Sequence, residues 1–175
     1  MSEPAAPVPP AEQETSLQLF VSLSATLTGF ARAEVWGTGM VPQYFAVMPS
    51  IVGDTMFADF LDRWRDTYIR GQGDDSLLDE LVLSQLNADP TFGPLTRNLA
   101  SMWYLGVWNQ LPGDWRNVHG ARAGDMSHVV SAKAFTEGLV WKAMHTHPKG
   151  AKQPGFGSWA LPPHGVTEQG RANAV

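Results

Sequence analysis

The stretch Asp54-Thr-Met-Phe-Ala-Asp-Phe-Leu-Asp-Arg-Trp-Arg-Asp-Thr-Tyr-Ile-Arg70 decides the fold. Phe57, Phe60, Leu61, Trp64 and Tyr68 recur at helical spacing, while Asp59, Arg63, Asp66 and Arg70 fall on the opposite side. At 3.6 residues per turn this makes one apolar stripe and one solvated stripe, the pattern of a helix lying on a core. Asp54 is placed to cap the first turn, and Gly71 and Gly73 stop the helix, which is predicted over 55–70.

Upstream, residues 31–53 are interrupted by Gly37, Gly39, Pro42, Pro49 and Gly53, leaving room for a short helix at 42–48. Before them Leu17, Phe20, Leu23, Leu27 and Phe30 line one face of a helix over 16–28, capped by Ser16 and ended at Gly29. Residues 1–15, with Pro4, Pro7, Pro9 and Pro10 among Glu3, Glu12 and Glu14, read as a solvated, disordered tail. They hold no basic segment followed by an apolar one, the pattern of a secretory signal.

Downstream, Asp74–Ser76 opens a helix over 76–87, with Leu78, Leu81, Val82, Gln85 and Leu86 periodic. Asp89-Pro90 breaks it. The next helix covers 91–108, with Leu95, Leu99, Met102, Trp103, Leu105 and Gly106 as its packing set. A turn at Leu111–Asp114 leads into an irregular loop, 113–130, and a last helix runs over 131–145. Pro148, Pro154, Pro162 and Pro163 then forbid regular structure, and 164–175 is a polar tail. No stretch alternates as a half-buried strand should, and no hairpin dipeptide is present. The expectation is an all-α fold: about five helices around one core over 16–163, ending in a long irregular Pro/Gly/aromatic arm.

Composition narrows the function. A net charge of −5 with scattered basic residues argues against nucleic acid as a partner. The absence of cysteine removes disulfides, thiolate metal sites and covalent haem attachment. No run of about eighteen apolar residues is available to span a membrane. His145-Thr-His147-Pro148 resembles the metal-binding string of zinc isopeptidases of the MPN type. The Ser and Asp that complete that string are replaced by Gly155 and Ser158. Two imidazoles at i, i+2 bind zinc only where a third ligand converges; otherwise they are histidines of a helix end. Gly37-Thr-Gly39 and Gly155-Phe-Gly157 lack the strand and spacing of a phosphate loop. Ser101 and Ser158 lack a nucleophile elbow. Asp62, Asp66, Asp74, Asp75, Asp79 and Glu80 fit helix faces and caps. Trp64 and Trp103 fit the core, whereas Trp115, Trp141 and Trp159 sit in or near irregular segments, where indole rings serve as interface anchors.

Three strings carry a resemblance. Leu19-Phe-Val-Ser-Leu-Ser-Ala-Thr-Leu-Thr-Gly-Phe30 resembles the opening helix of the small subunits of membrane-bound FAD-dependent sugar and polyol dehydrogenases, the sorbitol, fructose and glucose dehydrogenase complexes. Leu99-Ala-Ser-Met-Trp-Tyr-Leu-Gly-Val-Trp108 is similar to their Trp-Tyr-x-Gly helix. Phe135-Thr-Glu-Gly-Leu-Val-Trp141, followed by Gln153-Pro-Gly-Phe-Gly-Ser-Trp-Ala160 and Pro162-Pro163, is similar to their C-terminal signature.

The resemblance implies a non-catalytic subunit with no cofactor of its own. Its partners would be a large subunit holding FAD and a multi-haem cytochrome c subunit that takes the electrons onwards. It would stabilise the large subunit and accompany it to the periplasm by twin-arginine export, associating with the membrane only through the complex. No paired arginines precede residue 16 here. Trp141, Pro154, Phe156, Trp159 and Pro162 are the expected contact residues. Two other readings stay open: a metal-dependent enzyme using His145 and His147 with His119 or His128, and a free-standing interaction module.

Overall fold

Around Trp64 the chain folds as its periodicity predicts. In the computed structural model, which describes residues 10–148 with side chains from Thr15 onward, helix α4 spans Asp54–Gly71. It buries Phe57, Phe60, Leu61 and Trp64, and Tyr68 packs at the margin. Each such ring or branched chain contributes roughly 1.5–3 kcal/mol on leaving water. Asp54 does not cap. Gly53, at φ 93°, holds the cap position without a side-chain hydrogen bond. Asp54 lies in the first turn, where a negative charge suits the helix dipole, 3.6 Å from Arg122.

Helix α1 spans Pro10–Thr28, so it starts before Ser16 and not at it. Proline is tolerated in a first turn because its missing N–H has no partner there in any case. Phe20 and Leu23 are buried, with Leu17, Leu27 and Phe30 beside the core, as predicted. Helix α2, Arg32–Gly37, is a further helix among the breakers of 31–53, and α3, Val41–Val52, contains the short helix expected at 42–48 and is longer at both ends. Pro49 lies inside α3. Its usual cost of about 3 kcal/mol is offset by the burial of Val41, Tyr44, Met48, Ile51 and Val52 along one face.

Asp74 caps α5, Asp75–Leu81, accepting from the Leu77 amide at 3.0 Å. A π-helical turn, Val82–Asn87, follows, and of this whole segment only Leu86 is fully buried. Asp89 accepts from the amides of Thr91 and Phe92, both at 2.8 Å, and leads into α6, Gly93–Leu105. Leu95, Leu99, Met102 and Trp103 are buried, whereas Leu105 is exposed. The core is aromatic: Tyr44 meets Trp103 edge-on at 4.8 Å, and Phe20 meets Phe45 at 5.5 Å.

The fold is helical, with one small departure. β1, Val107–Trp108, pairs antiparallel with β2, His128–Val129, with Val107 opposite Val129. Between them the expected irregular loop contains α7, Gly113–His119. The helix predicted over 131–145 is two: α8, Ala132–Thr136, capped by Ser131, and α9, Leu139–Ala143, separated at Gly138. Both pack on α6. Among the described residues no helix is long and apolar enough to cross a membrane.

Candidate functional site

The first two strings singled out in the sequence and the described part of the third, Phe135–Trp141, meet at the last turn of α6. Tyr104, half-buried, donates its hydroxyl to the carbonyl of Thr28 at 2.7 Å, and its ring lies edge-on to Phe30 at 6.3 Å. These bonds tie the α6 string to the end of the α1 string. On its other side α6 touches α8 and α9 through glycines. Gly106 has φ 70°, and a Cβ there would stand 2.5 Å from the carbonyl carbon of Ala134. A Cβ on Gly138 would stand 2.7 Å from the carbonyl oxygen of Tyr104. Two backbones approach so closely at these points that only hydrogen fits.

Trp141, the first of the expected contact residues, is half-buried on α9. Its Nε1 donates to the carbonyl of Phe135 at 2.8 Å, and the two rings meet edge-on at 5.3 Å. The polar edge of the indole is thereby committed within the string. The remaining ring surface lines an open cleft of about 480 Å³ with Glu34, Lys142, His147 and Pro148. Phe135 is 43% exposed and Met144 68%, so apolar surface lies around Trp141. Pro154, Phe156, Trp159 and Pro162 lie outside the described residues.

One ion pair closes this corner. Lys142 donates to Glu34 of α2, and its ammonium sits 5.6 Å from the centre of the Phe30 ring. Glu34 also accepts from the Ala31 amide at 2.9 Å. The Lys142 hydrogen bond, then the Ala31 amide, hold the Glu34 carboxyl below its ordinary value of 4.5. Because the folded pKa is the lower one, this contribution is complete above the unfolded value and is lost as pH falls through the folded one. Acidification below that point is therefore expected to loosen α9 from α2, read as faster amide exchange at Met144 and Thr146. Glu34→Gln should exchange quickly at neutral pH and show no acid step. A wild-type step that persists in the variant would assign the effect elsewhere.

The histidines are dispersed in role. His145 follows α9 with φ 52°, its amide on the Lys142 carbonyl at 3.1 Å. His147 is half-buried, with Nδ1 3.3 Å from the Pro148 carbonyl. His119 packs on Trp115 at 4.9 Å, and His128 holds the Met126 carbonyl at 2.6 Å. Among the described residues no group of three His, Asp or Glu side chains is placed to hold a metal ion. Trp115 is not an interface anchor: it is buried, and its Nε1 donates to the carbonyl of Thr91 at 2.8 Å. The loop that looked irregular is long enough to fold this ring back onto the core.

Sequence reading missed Asp125. Only 2% exposed, its carboxylate accepts from Trp108 Nε1 at 3.0 Å, the Leu111 amide at 3.0 Å and Arg116 Nε at 3.1 Å. Its carbonyl accepts from Gln110 Nε2 at 3.1 Å. A carboxylate engaged by three donors braces the β1–α7–β2 loop, from which α8 departs. Nothing local marks it, because its partners lie nine or more positions away in the chain. Compared with known proteins, the chain matches no family model, no curated protein and no solved structure.

Proposed function

We propose that this chain is a non-catalytic small subunit of an FAD-dependent sugar or polyol dehydrogenase complex. In this reading it binds and stabilises the large subunit that holds FAD, and accompanies it to the periplasm. Electrons leave through a cytochrome c subunit, and no redox group belongs to this chain.

The observation that carries the reading is the meeting at Tyr104 of the first two resembling strings with Phe135–Trp141 of the third. Segments far apart in sequence make one structural unit, which sets the Trp141 ring against Phe135, and Met144, three positions after Trp141, is exposed. A ring whose N–H is already bonded presents a fixed apolar face and has little freedom left to lose on binding. Large aromatic anchors of this kind carry much of an interface's affinity.

The test is co-purification of the full chain with a co-expressed FAD-containing large subunit. Trp141→Ala is expected to weaken the complex by about 2 kcal/mol, roughly thirtyfold in Kd, while the far-ultraviolet circular dichroism keeps its helical shape. Unchanged affinity would remove Trp141 from the interface. Failure of the wild-type chain to associate at all would end the proposal.

A further inference from the structure

We infer that helix α4 pairs with the α4 of a second copy of this chain, antiparallel and across a two-fold axis. The inference goes beyond the function proposed above and does not depend on it. Asp59, Arg63, Asp66 and Arg70 follow one another at spacings of four, three and four. At 3.6 residues per turn they fall within about 60° of arc, on the side of α4 away from buried Phe57, Leu61 and Trp64. Three of them are exposed, and Arg63 is half-buried.

The order of charge along this line is its own complement. Asp59 and Arg70 stand equally far from a point between Trp64 and Arg65, and so do Arg63 and Asp66. Two-fold rotation about that point lays Asp59 on the copy's Arg70 and Arg63 on the copy's Asp66, and symmetry repeats both pairs. The four ion pairs then spread over about three turns of helix. The antiparallel arrangement also sets opposite ends of the two helix dipoles side by side. A parallel arrangement would set like charge on like. A foreign surface would need the same four charges in the reverse sense over the same length, whereas a second copy carries them by construction.

The chain itself does not use these charges. Among the described residues Asp59, Arg63 and Arg70 have no ion-pair partner, and Asp66 reaches only Arg65, at 4.0 Å. Arg65 is closer to Asp62, at 2.9 Å. The Arg63 guanidinium lies 5.3 Å from the centre of the Phe92 ring, which restrains it and lessens the freedom lost on pairing. An open cleft of about 750 Å³ follows the line, and Ile69, 61% exposed, gives it apolar surface. None of these residues lines the Trp141 cleft, so self-pairing and the proposed subunit contact use different side chains.

Exposed ion pairs are individually weak and screened by salt, so the dimer should need high protein concentration and low salt. Sedimentation equilibrium of the full chain reads it. At about 50 mM NaCl the average mass should rise with concentration from one chain towards two. The dissociation constant should increase about tenfold at about 500 mM, where screening shortens from about 13 Å to about 4 Å. Arg63→Asp with Arg70→Asp makes the line wholly acidic, and Asp59→Arg with Asp66→Arg makes it wholly basic. Each double variant alone should stay monomeric. Their equimolar mixture should form a heterodimer at least as tight as the wild-type dimer. All four exchanges in one chain restore the complement in the opposite sense and should return self-association to the wild-type level, which damage to the fold could not imitate. Wild type that stays monomeric up to about 1 mM at low salt overturns the inference. So does a double variant that self-associates like wild type, or a mixture of the two that stays monomeric. Each of these results leaves the proposed function standing.

Discussion

Replacing Asp125 by alanine is expected to cost about 3–5 kcal/mol, the usual effect of removing one partner from a buried charge network. The side chain is fully buried, and its loss orphans the Trp108 indole N–H and the Leu111 amide. Each buried donor left without an acceptor costs about 1–3 kcal/mol. Arg116 is 42% exposed and can return to water, so its part is the smallest of the three. For a chain of this length the midpoint should fall by about 10 °C, at roughly 2–4 °C per kcal/mol. Asp125→Asn keeps one acceptor oxygen but turns an amide N–H₂ towards Arg116 or Trp108, and should lose about half as much. The loss should also be local, with amide exchange at Leu111 and Val130 accelerating before that of Phe60 or Leu61. A midpoint within about 2 °C of wild type would mean that the carboxylate does not brace the loop.

Asp125 also shows where sequence reading stops. Helix α4 was legible because one face of a long helix repeats: Phe57, Phe60, Leu61 and Trp64 are both the pattern and the buried set. Helix α3 was legible at its centre, 42–48, but not in its last turn, because Pro49 reads as a breaker and a single residue's propensity says nothing of the five side chains that its helix buries. The strands β1 and β2 have two residues each, too few to show a period, and their pairing is fixed across the chain by Val107 and Val129. Trp115 looked like an anchor because its loop looked irregular, and it is core because α7 turns it inward. At the candidate site Trp141 was legible as an aromatic beside a Pro/Gly stretch. That its N–H is satisfied by Phe135, and that Tyr104 reaches Thr28 across 76 positions, are facts of tertiary contact that no local pattern encodes.

Gly106→Ala tests that tertiary contact, and its expected cost is about 3–5 kcal/mol from two sources. The first is conformational. Gly106 ends α6 at φ 70°, with its amide on the Met102 carbonyl at 2.9 Å, and an L-residue there costs about 1–2 kcal/mol. The second is contact. A Cβ would meet the carbonyl carbon of Ala134 at 2.5 Å, its oxygen at 2.7 Å and the Phe135 amide at 2.7 Å. All three are backbone atoms, so relief requires moving α8 as a body. Gly29→Ala separates the two sources. Gly29 has φ 73° and nothing within 4 Å of its added Cβ, so it should show the conformational cost alone. The difference between the two melts measures the close approach, and should be at least about 2 kcal/mol. Equal losses would mean that α8 is not seated through Gly106. Because α8 and α9 carry Phe135 and Trp141, the function proposed above predicts that the same substitution weakens capture of an FAD-containing large subunit in protein that remains helical, while Gly29→Ala does not. That pairing makes stability and partner binding two readouts of a single backbone contact.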